Sequence, residues 1–321
     1  MQSTSVTLGI DIGGTNTALG FVSAEGVIFH STSIPTQAEQ SADEYFPRLI
    51  GKIREQIKLL PDSFSLKAIG IGAPNANYYS GAVELPPNLN WGTVNVVTIM
   101  KQHFDIPAVI TNDANAAALG EMIFGVARGM QNFVMITLGT GLGSGIVVNG
   151  KLVYGHDGFA GEVGHTIVDP KGRMCGCGRH GCLETYVSAP GIKRTVFELL
   201  AQSTEQSSLR SKSFDDLTSF DVFQAATNSD PIALEAFDRT ARVLSLKLAD
   251  TVAHLSPEAI VLFGGLAQAG SLILEPTKKY LEQYVLNIFK NKVQVLQSGL
   301  SEGSAAILGS AALAWEEISQ H

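Results

Sequence analysis

The chain of 321 residues is short of three things: cysteine, charge and long apolar runs. Cysteine occurs only as Cys175, Cys177 and Cys182, all inside the stretch CGCGRHGC. Three thiols crowded together do not make a disulfide framework, which needs paired cysteines spread through a fold. Asp, Glu, Lys and Arg make up only 16 % of residues, and the net charge is −8 with no Lys/Arg run. That balance repels nucleic-acid phosphates and argues against a nucleic-acid partner. No apolar run approaches the roughly 18–20 residues of a membrane span. The opening MQSTSVTLGIDIGG enters a strand pattern at once, without a basic-then-apolar leader. These absences predict a soluble cytoplasmic protein whose thiols stay reduced, with no membrane partner.

Glycine is abundant, at 33 residues, and apolar residues reach 45 %. A chain of this length and content can bury two ordinary domain cores joined by tight loops, as α/β enzymes do. The segment VTLGIDIGGTNTALGFVSAEGVIFHSTSI reads as strand, Gly-rich turn, strand, turn at Glu25-Gly26, strand. FVMITLGTGLGSGIVVNGKLVYG repeats the plan, with a loop at Gly139-Thr140-Gly141 and a hairpin signal at Asn149-Gly150. Amphipathic spacing predicts a helix over Ala42–Leu60. NDANAAALGEMIFG is an Ala-rich helix, and a long helix runs from a cap at Ser229 or Asp230 to Leu255. AIVLFGG is a buried strand ending in two glycines, and SEGSAAILGSAALAWEEI is a final helix. Alternating strands and helices predict α/β layers. The division falls near residue 112, giving a smaller domain of 1–112 completed by the terminal helix 304–321, and a larger domain of 113–303.

Both hairpins carry a Gly/Thr loop whose backbone N–H groups can approach phosphate oxygens. Thr15, Asn16, Thr17 and Thr140 add hydroxyl and amide donors. Neither loop is a Walker A motif or a G-x-G-x-x-G fingerprint, but two matching loops in matching hairpins point to a phosphate clamp. DIGGTNTALG, LGTGLGSG and VLFGG resemble the two phosphate segments and the adenosine segment of the sugar kinase/actin/heat-shock ATPase superfamily. That resemblance implies two ribonuclease-H-like, actin-like ATPase domains with ATP and Mg²⁺ in a cleft between them. Asp11 would lie near Mg²⁺. Gly13, Gly14, Thr15, Asn16, Thr140 and Gly141 would surround the phosphates, and Gly264 and Gly265 would border the adenosine.

Three thiolates need a fourth ligand to make a tetrahedral zinc site. His165, ten residues before Cys175, can supply it. His180 is the rival, but its place two residues from Cys182 and next to Gly181 strains that geometry. GFAGEVGHTIVD followed by CGCGRHGCLE resembles the signature of the ROK family (repressors, uncharacterised reading frames and sugar kinases), and the resemblance spans essentially the whole chain. It implies structural Zn²⁺ on His165, Cys175, Cys177 and Cys182, holding a sugar-binding loop.

Glu162 and Glu184 flank the metal cluster, and a carboxylate can accept hydrogen bonds from two vicinal sugar hydroxyls. His165 could present its second ring nitrogen to a sugar hydroxyl. Asp113, at the start of the Ala-rich helix, fits a general base that accepts the proton of the attacking hydroxyl, and equally fits a helix N-cap. The family resemblance makes Asn112 a sugar ligand and Asp113 the base. It also makes GIGAPNANYYSGAVELPPNLNW the second sugar-side loop, with Asn88 in contact. Asn75 departs from that pattern, standing where family members often have glycine. The implied function is an ATP-dependent hexose kinase, first of all a glucokinase acting on the 6-hydroxyl of glucose. N-acetylglucosamine, N-acetylmannosamine, fructose or allose are alternative substrates, and polyphosphate an alternative donor. A sugar-responsive transcription regulator of the same family is less favoured, because those proteins carry an N-terminal winged helix-turn-helix, here only a few residues precede the first strand, and Asp113 is present. The family also implies a homodimer or higher assembly.

Overall fold

The computed structural model describes residues 4–319. The first sheet is built from β1 (Thr4–Ile12), β2 (Asn16–Ser23) and β3 (Ile28–Pro35), a meander, followed after helix α1 (Ala42–Ile57) by β4 (Phe64–Gly72). A three-stranded ribbon of β5 (Ala76–Asn77), β6 (Ala82–Val83) and β7 (Val94–Asn95) leads into α2 (Val96–His103) and β8 (Ala108–Thr111). The strand order is β3-β2-β1-β4-β8, with the β1–β2 and β2–β3 pairs antiparallel and β1–β4 and β4–β8 parallel.

The same plan recurs after α3 (Asp113–Phe124). Strands β9 (Phe133–Leu138), β10 (Leu142–Val148) and β11 (Lys151–Leu152) are followed by α4 (Ala189–Gln202), α5 (Ser219–Thr227) and α6 (Pro231–Leu255). β12 (Ala259–Phe263), α7 (Ser271–Tyr284), β13 (Gln294–Gln297) and α8 (Glu302–Ser319) complete the chain. The second sheet runs β11-β10-β9-β12-β13, with β9–β10 antiparallel and β9–β12 and β12–β13 parallel. The hairpin signal at Asn149-Gly150 becomes a turn with both residues at positive φ (53° and 73°), the backbone that Asn-Gly supplies at least cost.

The chain packs as two compact units: Met1–Gly129, Leu152–Ala160 and Gly299–His321 in one, Met130–Lys151 and Gly161–Ser298 in the other. Each has its own apolar core. The sequence-based division at 112 and 303 places α3 with the larger domain; in the structure α3 packs on α8 and belongs to the first unit. A row of glycines explains how α8 reaches that unit's sheet. Gly20, Gly9 and Gly70 are direct neighbours across β2, β1 and β4. A Cβ on Gly9 or Gly70 would overlap the backbone carbonyl of Ile307 or Ser310 on α8. Among the described residues no helix is long and apolar enough to cross a membrane.

α6 starts where its sequence signals put it: Asp230 Oδ1 accepts from Ile232 N and Ala233 N (3.1 and 3.2 Å), and Pro231 occupies the first turn. α1 stops at Ile57 rather than Leu60, the last residues forming a turn.

Candidate active site

In the first unit, Asp11, Gly72 and Thr111 lie side by side in register at the carboxyl ends of β1, β4 and β8. Beyond this row come the Gly13–Thr15 loop, the segment from Ala73, and the start of α3. Ala73 N donates to Thr111 O (3.1 Å), which holds the last two together. Parallel strands present their carboxyl edge to ligands because the loops that follow are free to vary there.

The loop Gly13–Thr15 is braced from beneath. Gly13 N donates to Asn16 O (3.1 Å), and Thr36 Oγ1 donates to Gly13 O (2.7 Å). Buried Thr17 Oγ1 lies 3.0 Å from Thr36 Oγ1 and 2.7 Å from Tyr45 Oη. Thr15 and Asn16 themselves are exposed, so their polar groups face solvent and any ligand that arrives there.

The start of α3 separates two roles that the sequence left joined. Asn112 is the N-cap: its Oδ1 accepts from Asn115 N at 2.7 Å. Asp113 is the first helical residue, accepts only locally from Ala114 N (2.8 Å), and keeps an exposed carboxylate. Desolvation by the surrounding protein pushes the Asp113 pKa up, and hydrogen bonds from the Ala114 and Asp113 backbone oppose the rise. Its side chain is accessible, so the effect is that of nearby protein rather than of full burial. Asp11 is partly buried, and burial together with the Asp113 charge raises its pKa to about 7. Two carboxylates that disfavour each other's charge are the electrostatic setting that a divalent cation relieves.

The segment after β4, expected to form a second sugar-side loop, keeps a well-supported turn at Asn75. Asn75 has φ 51°, a left-handed conformation that glycine adopts freely and asparagine tolerates best among the other residues. Its Nδ2 donates to Glu84 O and Leu85 O (both 3.2 Å), and its carbonyl accepts from Glu84 N at 3.0 Å. Further on, Leu89 and Trp91 sink into the core, where Trp91 meets the rings of Tyr45 and Phe46. Asn88, just before these anchors, stays exposed, beside the Gly14 edge of the first loop.

In the second unit the loop Gly139-Thr140-Gly141 is closed by Gly139 N donating to Gly141 O (3.0 Å) and is held by Ala189 N donating to Gly139 O (2.8 Å). Glu184 joins this loop to the cysteine cluster. Its Oε2 accepts from Leu142 N at 3.0 Å, and its Oε1 lies 3.7 Å from Cys175 Sγ. Gly264, at φ 95°, turns the chain where a Cβ would press on the Leu138 carbonyl, while Gly265 faces open space.

The ligand atoms of His165, Cys175, Cys177 and Cys182 all lie within 4.8 Å of one another. Cys175 Sγ is 3.7 Å from His165 Nδ1, and Cys177 Sγ is 3.7 Å from Cys182 Sγ. Tetrahedral zinc with ~2.3 Å bonds to sulfur sets its sulfurs about 3.8 Å apart, so small side-chain shifts bring this donor set onto the ion. The Cys177 pKa is lowered to about 6, first by the Arg179 backbone N–H, while burial raises those of Cys175 and Cys182, whose thiolates a bound cation would have to stabilise. His180 instead turns its Nδ1 to Gly172 O (3.1 Å) and stands outside the cluster. Glu162 is exposed at the entry to the short 3-10 turn Val163–His165, where its carbonyl accepts from His165 N (3.1 Å).

The predicted residues thus form two sets. Asp11, Gly13, Gly14, Thr15, Asn16, Asn88, Asn112 and Asp113 belong to the first unit. Thr140, Gly141, Glu162, His165, Glu184, Gly264, Gly265 and the three cysteines belong to the second. Sequence reasoning missed the Thr36–Tyr45 brace and the bond from Leu142 N to Glu184. No local pattern signals them, because each joins residues at least 23 positions apart except within the brace itself, where the closest pair is 19 apart.

Comparison with known proteins identifies relatives along almost the whole chain. The ROK family model matches residues 7–317. A glucokinase of Halalkalibacterium halodurans is 37 % identical over 290 residues, covering 87 % of this chain and 86 % of its own. The crystal structure of a ROK family glucokinase from Streptomyces griseus, in complex with glucose and AMPPNP, is 33 % identical with a TM-score of 0.80. That match covers 97 % of this chain and 99 % of the other. A ROK family transcriptional regulator, a homologue of the E. coli MLC protein, superposes with a TM-score of 0.87 at 27 % identity, over 97 % of this chain and 78 % of its own.

Proposed function

Since the chain belongs to the ROK family, with its two actin-like ATPase domains, we propose that it is an ATP-dependent hexose kinase, and first of all a glucokinase acting on the 6-hydroxyl of glucose. The observation that carries this proposal is the accessible Asp113 carboxylate, freed from capping by Asn112, next to Asp11 and the braced Gly13–Thr15 loop. A sugar hydroxyl is a weak nucleophile, and a carboxylate of raised pKa accepts its proton as the phosphoryl group departs from ATP.

Gly13–Asn16, Thr140 and Gly141 cradle the phosphates, and Gly264 and Gly265 border the adenosine. Asp11 is the residue placed to hold Mg²⁺, which when bound neutralises charge developing on the transferred group. Asn88, Asn112, Glu162, His165 and Glu184 hold the sugar, with the last three kept in place by zinc on His165, Cys175, Cys177 and Cys182. The protein works in the cytoplasm as a homodimer or higher assembly.

The test is a coupled assay with ATP and Mg²⁺ across glucose, fructose, allose, N-acetylglucosamine and N-acetylmannosamine, repeated with polyphosphate as donor. Absence of phosphorylation of every sugar would overturn the proposal. The superposition on a transcriptional regulator favours a second function, sugar sensing without chemistry. It predicts sugar binding by calorimetry with no turnover.

A further inference from the structure

Leu85 is the most exposed of the large apolar side chains among the described residues, at 73 %. It also has φ 46°, in the left-handed region, and directly precedes Pro86, a position where steric contact with the proline ring restricts the backbone further. Nothing in the packing of Leu85 offsets this cost, because its side chain is in solvent. The surroundings hold it there all the same. Asn75 donates to Glu84 O and Leu85 O, Pro86 is buried, and Leu89 and Trp91 fasten the far end of the loop in the core. Asn75 itself follows the carboxyl end of β4 by three residues, in the segment whose Ala73 N donates to Thr111 O, two positions before Asp113. An apolar side chain is therefore presented, in a strained backbone and on rigid supports, three residues before Asn88, which lies against the Gly14 edge of the first glycine loop. Strain of this kind persists only where neighbouring structure enforces it, and it concentrates at ligand sites.

We infer that Leu85 is a specificity wall for the sugar, packing on the C–H face of the bound hexose ring, with Asn75 as the residue that positions it. The inference rests on the hexose-kinase function proposed above. A hexose offers hydroxyls at its rim and C–H groups on its faces. Asn88, Asn112 and Asp113 match the rim, and between β6 and β7, over residues 84–93, Leu85 is the exposed large apolar side chain that matches a face.

Leu85→Gly and Leu85→Asn both accept the left-handed backbone and remove the apolar contact, whereas Leu85→Met retains it. Steady-state kinetics should show the hexose KM raised about tenfold in the Gly and Asn variants, as expected for loss of a largely buried aliphatic contact. The kcat should stay within about threefold, the ATP KM should be unchanged, and the Met variant should resemble the parent. Melting temperatures should stay within about 2 °C, because relief of strain and the added freedom of the unfolded chain nearly cancel. An unaltered hexose KM in both variants overturns the inference. So does a loss of kcat and of both substrate affinities together with a lowered melting temperature, which marks a purely structural residue. If the parent protein phosphorylates no hexose, the underlying function has failed instead, and the two failures are told apart by the parent's own assay.

Discussion

At the scale of single residues, Asp113 and Asp11 make distinct predictions. Asn112 already caps α3, so Asp113→Asn should leave the helix and ligand binding intact. Turnover should fall by about 10²–10⁴-fold, the usual share of a positioned general base. A general base must be ionised, and desolvation by the surrounding protein holds Asp113 above the ordinary carboxylate range. The acid limb of the kcat profile should therefore sit above that range, with activity lost as pH falls through it. Near-parental kcat in Asp113→Asn would remove Asp113 from the chemistry. Asp11 acts on stability instead. Its folded pKa of about 7 exceeds the unfolded value of ~3.9. The folded state is thus favoured by proton binding below the unfolded value, and that advantage is lost as pH rises to about 7. Asp11→Asn should raise the melting temperature of protein free of Mg²⁺ at pH 8, by roughly 2–4 °C for each kcal/mol relieved. At pH 4 the gain should vanish. Equal gains at both pH values would show that the charge of Asp11 is not the cause.

At the scale of elements, two glycines in the first unit should respond oppositely to the same added methyl. Gly70 on β4 lies under α8, where a Cβ meets the Ser310 carbonyl, so Gly70→Ala forces helix and sheet apart. Overpacking of this kind costs roughly 1–3 kcal/mol. Gly51 lies inside α1 with open space around its missing side chain. Gly51→Ala should stabilise by roughly 0.5–1 kcal/mol, because alanine loses less backbone entropy in a helix. Denaturant unfolding of the two variants checks both signs. The three-residue Glu184 linkage also belongs at this scale: Leu142 N, Glu184 and Cys175 tie the second glycine loop to the Cys/His cluster proposed to hold zinc. The loop and the cluster should consequently lose order together when the metal is removed.

At the scale of the whole molecule, two compact units with separate cores predict two unfolding transitions in calorimetry. The proposed zinc ligands all lie in the unit made of Met130–Lys151 and Gly161–Ser298. Purified protein should contain about one zinc per chain, since four ligands make one tetrahedral site. A strong chelator, or Cys182→Ser, should lower one transition and leave the other in place, because metal binding free energy is folding free energy for the unit that holds the site. A uniform shift of both transitions, or an unaltered thermogram with zinc removed, would contradict the assignment.

The sequence by itself determined what depends on neighbours along the chain. The two glycine hairpins, the Asn149-Gly150 turn and the Asp230-Pro231 helix start are set by the backbone preferences of two to four adjacent residues. So is the crowding of three thiols, which chain connectivity alone brings within reach of one ion. Tertiary structure decided the rest. Only the register of β1, β4 and β8 sets Asp11 in one row with Gly72 and Thr111, the last 100 positions away and just before the start of α3. Only the observed cap geometry shows that Asn112 rather than Asp113 ends the helix. Asn75 looked like a departure until its positive φ showed that an asparagine can fill a glycine's place. The glycine row that seats α8 is likewise silent in a linear reading, because Gly20, Gly9 and Gly70 become neighbours only once three strands are paired. Local propensity extends over a turn or two of chain, whereas strand register and close approach are settled by which surfaces can bury one another.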